Sequence, residues 1–176
     1  SFLMSIANQT VHSLLQSLAT KEPTPGGGAV AGILAALSTA LGNMVIAYSK
    51  GKKSLEAHDV LHDDCNNFLL SAMDESLLLG DGDAVAYEKV SALWKLPKDD
   101  SVRAANWDEA LAEAIDVPIK TMQLSLRILT TLEQLIGTSN TMLKSDLGIA
   151  AILAEAAARA ASCNVGINAV QMEDEN

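Results

Sequence analysis

Aromatic side chains, proline, cysteine and basic charge are all scarce in this sequence, and each shortage excludes a class of structure or partner. Two Trp, two Tyr and two Phe make up 3% of 176 residues, while 49% of the chain is hydrophobic. The core must therefore be filled by Ala, Leu, Ile and Val, a set that suits closely packed helices. Alternating runs of Val, Ile and Thr are missing. No Asn-Gly or Asp-Gly turn lies between strand-like segments, so hairpins are excluded and the expected fold is all α. The two cysteines, Cys65 and Cys163, form no C-x-x-C pair, and in helical, apolar settings they read as reduced, buried thiols of a cytoplasmic protein. Twelve Lys and Arg stand against 22 Asp and Glu, a net charge of −10. That balance argues against a nucleic-acid partner, whose phosphates require clustered cations. The length suits one helical domain over residues 1–176, with a core that needs no staples.

What the chain does contain is organised around Thr24–Ser49, TPGGGAVAGILAALSTALGNMVIAYS. Pro23 and Pro25 bracket a threonine, three glycines follow, and about twenty small and apolar residues run to a basic knot, Lys50, Lys52 and Lys53. Gly26, Gly27 and Gly28 leave backbone N–H groups uncovered at a helix start, where they and the helix dipole suit an anion. A tight turn alone would use the same glycines. The G-x-x-x-x-G-K-[ST] phosphate loop is absent, and no β-rich strand precedes the turn. The helix is long enough to span a membrane. However, its apolarity comes mostly from Ala and Gly, Ser38, Thr39 and Asn43 interrupt it, and no signal peptide precedes it; it reads as a buried central helix.

Helical spacing places a first helix over residues 4–19, ended by Lys21-Glu22-Pro23, then the central helix. A third helix runs from Ser54 towards Leu79 and is expected to stop at Gly80-Asp81-Gly82-Asp83. A short helix over 83–94, a polar loop at 98–102, a long helix over 104–136 kinked or broken at Pro118, and an Ala-rich helix over 145–170 complete an antiparallel bundle of about six helices. The acidic Glu173-Asp174-Glu175 is expected to leave the core.

Three polar groups are candidates for chemistry. Asp81-Gly82-Asp83 with Tyr87 one turn on places carboxylates at an expected helix start, where an Asp is most often only an N-cap; the pattern is not a calcium loop. His58 and His62 share a helix face beside Asp59, Asp63 and Asp64, which suits a metal. A solvated polar face explains them more simply, and no metal site is assigned. In the last helix, Asp146 stands at the start, and Asn164 and Asn168 lie one turn apart in an apolar setting, either cross-linking helices or lining a polar pocket.

The segments PTPGGGAVAGILAALSTALGNMV, GKK, D-x-D-A-x-A-Y with KLPK, KSDLGIAAILAEAA and NVGIN, in that order over roughly residues 5–170, resemble the formiminotetrahydrofolate cyclodeaminase / methenyltetrahydrofolate cyclohydrolase family. The resemblance implies an all-α homodimer acting on a small-molecule folate, with neither nucleic acid nor membrane as partner and no cofactor beyond the tetrahydrofolate substrate. Gly82 stands where that family commonly has an acidic residue, and Tyr87 where it commonly has Phe. Nothing resembles the formiminotransferase half.

On that resemblance a carboxyl group moves protons while 5,10-methenyltetrahydrofolate is formed or hydrolysed. Asp83 is the first choice for this role, Asp81 the second and Asp146 the third. Tyr87 would wall an aromatic ring, and Asn164 and Asn168 would meet pterin edges. Pro25, the Gly26–Gly28 amides and Lys50, Lys52 and Lys53 would hold the anionic tail. The rival readings are an inactive folate-binding or structural bundle, and a metal-dependent hydrolase using His58, Asp59, His62 and Asp63.

Overall fold

The computed structural model describes residues 4–175, with side chains described as far as residue 170. Among the described residues there are five α-helices and no strand: α1 (Val11–Leu18), α2 (Gly27–Ala47), α3 (Asp59–Trp94), α4 (Ser101–Gln134) and α5 (Lys144–Glu175). Three short 3-10 turns accompany them: Ile6–Asn8 before α1, Lys53–His58 between α2 and α3, and Thr141–Leu143 between α4 and α5. Ser1–Leu3 and the side chains of Glu173, Asp174 and Glu175 lie outside the described residues, but the backbone of α5 continues through Glu175 rather than ending near 170.

The long helices α2 to α5 form an up-down-up-down four-helix bundle in which each packs on its chain neighbours and α2 closes the ring on α5. Specific contacts set the directions. Gly32 meets Ser76 and Gly80, and Gly42 meets Leu69, so α3 runs antiparallel to α2. The Ser38 hydroxyl donates to the Ala150 carbonyl at 2.6 Å and Gly27 lies against Asn164, so α5 is also antiparallel to α2. Ala35, Ile46, Leu69, Leu124, Ile128, Leu132, Ala150 and Ala154 fill the centre. The small residues of α2 explain the close approach: a Cβ on Gly32 would lie 2.5 Å from the Ser76 carbonyl oxygen and 3.1 Å from the Gly80 Cα. Over its most apolar window, α2 is long and apolar enough to cross a membrane, yet 56% of that window is buried against the other helices.

One expected helix boundary is corrected, and of the kink or break expected at Pro118 the break is absent. The third and fourth predicted helices are one, because Gly80 is not a terminator; it packs against Ala29 and Gly32 of α2 while its own helix continues. Helix α4 likewise passes through Pro118 without a break. The count is thus five, with α1 outside the bundle and no residue of it buried. Cys163 is exposed rather than buried, whereas Cys65 is buried and its thiol is pushed up by burial and by Asp64. His62 is not on a solvated face. It is fully buried and its Nε2 lies 2.8 Å from the Thr138 carbonyl, tying α3 to the turn after α4.

Candidate active site

At the end of the bundle where α2 begins, a cavity of about 280 Å³ is walled by one segment from each long helix. The loop into α2 supplies Pro23, Thr24 and Gly26, followed by Gly27 and Gly28; α3 supplies Asp83, Tyr87, Val90 and Trp94; α4 supplies Ala114; and α5 supplies Asn164, Ile167 and Asn168. Because α3 is continuous, Asp83, Tyr87, Val90 and Trp94 recur at i, i+4, i+7 and i+11 and form a single stripe. The expected helix over 83–94 carries this same spacing, but Val90, Trp94, Ile167, Ala114, Pro23 and Thr24 have no chemical signature and were not among the expected site residues.

Gly26 is the N-cap of α2 and offers no side chain to its first N–H groups, so the helix begins uncapped beside the cavity. The Asp83 carboxyl packs on Gly28 so closely that a Cβ there would overlap it. Asp83 is mostly buried, makes no hydrogen bond or ion pair with any described residue, and burial pushes its carboxyl above the ordinary value for Asp. Across the cavity, a Cβ on Gly27 would lie 3.4 Å from Asn164 Oδ1. Asn164 Nδ2 is buried with no partner. Asn168 Nδ2 donates to the Ala114 carbonyl at 2.7 Å, so this residue both links helices and lines the cavity.

Other expected site residues lie elsewhere. Asp81, two residues before Asp83, faces a different direction, as helical geometry requires. Its carboxylate accepts from the Ser5 hydroxyl at 2.5 Å and from the Ile6 amide at 3.0 Å, anchoring the chain's first 3-10 turn. Pro25 lines a separate small cavity with Asp81 and Ile6. Asp146 stands at the opposite end of α5 from Asn164, eighteen residues or roughly 27 Å away along the axis. Lys50, Lys52 and Lys53 follow the far end of α2, about 30 Å from Gly27, and Lys50 pairs with Asp63. Within one subunit, then, Asp146 and the lysines are not beside the glycine turn, because the intervening helices are rigid rods. Among the described residues no three His, Cys, Asp or Glu side chains converge as a metal site.

Comparison with known proteins gives a consistent picture. A family model described as Formiminotransferase-cyclodeaminase matches residues 10–176. The chain is 32% identical over 172 residues to a methenyltetrahydrofolate cyclohydrolase of Methylorubrum extorquens, covering 95% of this chain and 82% of that relative. It is 30% identical over 174 residues to a formimidoyltransferase-cyclodeaminase of Gallus gallus, but spans only 32% of that longer protein. A solved structure of formiminotetrahydrofolate cyclodeaminase from Thermotoga maritima superposes with a TM-score of 0.86 at 28% identity, covering 94% of this chain and 81% of that one.

Proposed function

The chain belongs to the formiminotransferase-cyclodeaminase family, and from that premise we propose that it is a folate one-carbon enzyme that forms or hydrolyses 5,10-methenyltetrahydrofolate, with Asp83 as its acid–base group. The observation that carries the assignment is the mostly buried, unpaired Asp83 carboxyl, seated on Gly28 in a cavity that also holds two aromatic rings and two amides.

In ring closure, N10 of the protonated 5-formimino substrate attacks the formimino carbon and becomes cationic. Asp83 removes that proton and returns it to the former imino nitrogen, which departs as ammonia and leaves the cyclic cation. In hydrolysis, water adds to the same carbon of the cation as the carboxylate takes its proton. The proton then passes to N5 as the carbon–N5 bond breaks, and the hydroxyl proton of the adduct is lost to the freed carboxylate and on to solvent as the formyl C=O forms, giving the 10-formyl product. Burial raises the Asp83 carboxyl above its ordinary value, so the carboxylate is a stronger base than an exposed Asp for taking up the proton that it then hands on, as both sequences require. An anionic carboxylate beside the cation also lowers the charge cost of forming it. Proton transfer suffices for both steps, so the folate is the substrate and no cofactor enters. Tyr87 and Trp94 provide ring faces for the pterin or aminobenzoate.

The lysines at the other end of α2 act, in this reading, through assembly. A groove of about 790 Å³ between the C-terminal part of α4 and the start of α5 is lined by Leu126, Leu129, Ile136, Leu147 and Ala151, and Glu133 and Lys144 bring opposite charges to it. Seated on the α1 end of a second, antiparallel copy, this groove would bring the lysines of one subunit to the glycine turn of the other, so the reading is a homodimer.

Purified protein given 5-formiminotetrahydrofolate or 5,10-methenyltetrahydrofolate should change the methenyl absorbance with one of them. Ammonia release against 10-formyl product tells which. Asp83→Asn should keep the helical circular dichroism and lose turnover by about 100-fold or more; near-native turnover would remove Asp83 from the role.

A further inference from the structure

Pro118 lies buried inside α4. Having no N–H, it leaves the carbonyl of Ala114, four residues earlier, without its helical donor. That vacancy is filled from another helix, by Asn168 Nδ2 at 2.7 Å. A carbonyl only accepts, so this bond fixes the orientation of the Asn168 amide, with its NH₂ committed to α4. Its Oδ1 takes no bond from any described residue and is not among the buried, unpaired atoms, so it stays available to the cavity. One turn earlier, Asn164 presents the opposite group, a buried NH₂ with nothing to donate to. The cavity wall therefore offers an acceptor and a donor side by side on α5. An unsatisfied buried donor costs free energy until a ligand supplies the acceptor.

We propose that Asn164 and Asn168, held in register by Pro118, read the lactam edge of the substrate's pterin. The Asn164 NH₂ donates to the ring C4 carbonyl and Asn168 Oδ1 accepts from the neighbouring N3–H. The proposal rests on the folate reading above and adds to it a specificity rule. A 4-amino pteridine reverses both groups, setting donor against donor and acceptor against acceptor, and a site built to bond one pattern rejects the other. Pro118 is a positioning residue. With Ala at 118, the backbone N–H returns, Ala114 regains its helical partner, and the Asn168 amide loses the bond that orients it.

The test is equilibrium binding of 5-formyltetrahydrofolate and its 4-amino-4-deoxy counterpart to the full chain. Wild type should prefer the 4-oxo compound by about 100-fold. Asn164→Asp, which turns the donor into an acceptor, should shrink that ratio about tenfold or more. Pro118→Ala should raise KM for the 4-oxo substrate more than it lowers kcat, and should also shrink the ratio, whereas a purely structural role would move both ligands together. Equal wild-type affinity for the two compounds overturns the lactam assignment and leaves the folate reading standing. Binding of neither overturns both. A ratio unchanged in Asn164→Asp, with both compounds still bound, likewise overturns it.

Discussion

At the scale of single residues, the site depends on a hydrogen atom. Gly28 carries no Cβ, and the space one would fill is occupied by the Asp83 carboxyl. Gly28→Ala should therefore push Asp83 out of place while leaving its chemistry intact, and turnover should fall by about 100-fold, close to the loss in Asp83→Asn. Steady-state assays of the two variants beside wild type check this. Gly27 contrasts with it, since a Cβ there would make an ordinary 3.4 Å contact with Asn164. Burial of Asp83 also has a thermodynamic signature. Its folded pKa lies above the ordinary 3.8, so the native state holds the proton more tightly than the unfolded chain. Stability is then lost as pH rises from the unfolded value through the folded one. Asp83→Asn carries no charge to desolvate, so it should melt higher than wild type at pH 7, and the gap should close as pH falls towards 4. Thermal unfolding across that range measures it; a variant that melts lower at pH 7 would mean that Asp83 is stabilised there by contacts its asparagine loses. The order Asp83 before Asp81 was legible in the sequence, and the structure sets Asp83 in the cavity with the glycines; what was not legible was the task of Asp81, whose partners Ser5 and Ile6 lie some 75 residues away in the chain.

At the scale of helices, glycine punctuates and packs, and the sequence does not label which. Gly80 was read as a stop because turn residues surround it, and tertiary contact overrode that signal. The α2–α3 crossing needs small residues on both sides, and Gly32 and Gly80 supply them. Gly32→Ala meets backbone atoms that cannot swing aside, at 2.5 and 3.1 Å, so the helices must separate at a cost of about 1–3 kcal/mol. Gly166 in α5 has nothing within 4 Å of its missing Cβ. Gly166→Ala should gain roughly 0.5–1 kcal/mol from helix propensity. The two substitutions should move the melting temperature in opposite directions, about 2–4 °C per kcal/mol for a chain of this size. At Pro118 a kink or a break was expected from the missing N–H; the helix does not break, and a donor from α5 satisfies the carbonyl that Pro118 strands. Local rules identified the defect correctly; only the partner helix shows how it is repaired.

At the scale of the whole molecule, the bundle has two unlike ends. One gathers the uncapped start of α2, Asp83 and the asparagines, and the other holds the lysine knot and the apolar groove. The all-α class and the central place of α2 were legible because small-residue composition and length are properties of the chain itself. The separation of Gly27 from Lys50 was equally implicit in a helix of 21 residues, yet a shared anionic ligand made the two look adjacent. A rod of about 30 Å does not bend to join its ends. Two subunits lying antiparallel can do what one cannot, by setting one lysine end beside the other's glycine end. Exposed apolar groups sit where such a contact needs them: Ile136 is 68% and Met142 83% accessible beside the groove, while Leu15 on α1 is 57% accessible at the opposite end. Burying them is the force that would overcome repulsion between two chains of charge −10. Light scattering should give twice 18.5 kDa for the wild type. Ile136→Glu, which places a charge on that face, should give the monomer mass with unchanged helical content. A monomeric wild type would leave the lysines without a route to the folate tail, and a dimer that survives Ile136→Glu would move the interface off the groove.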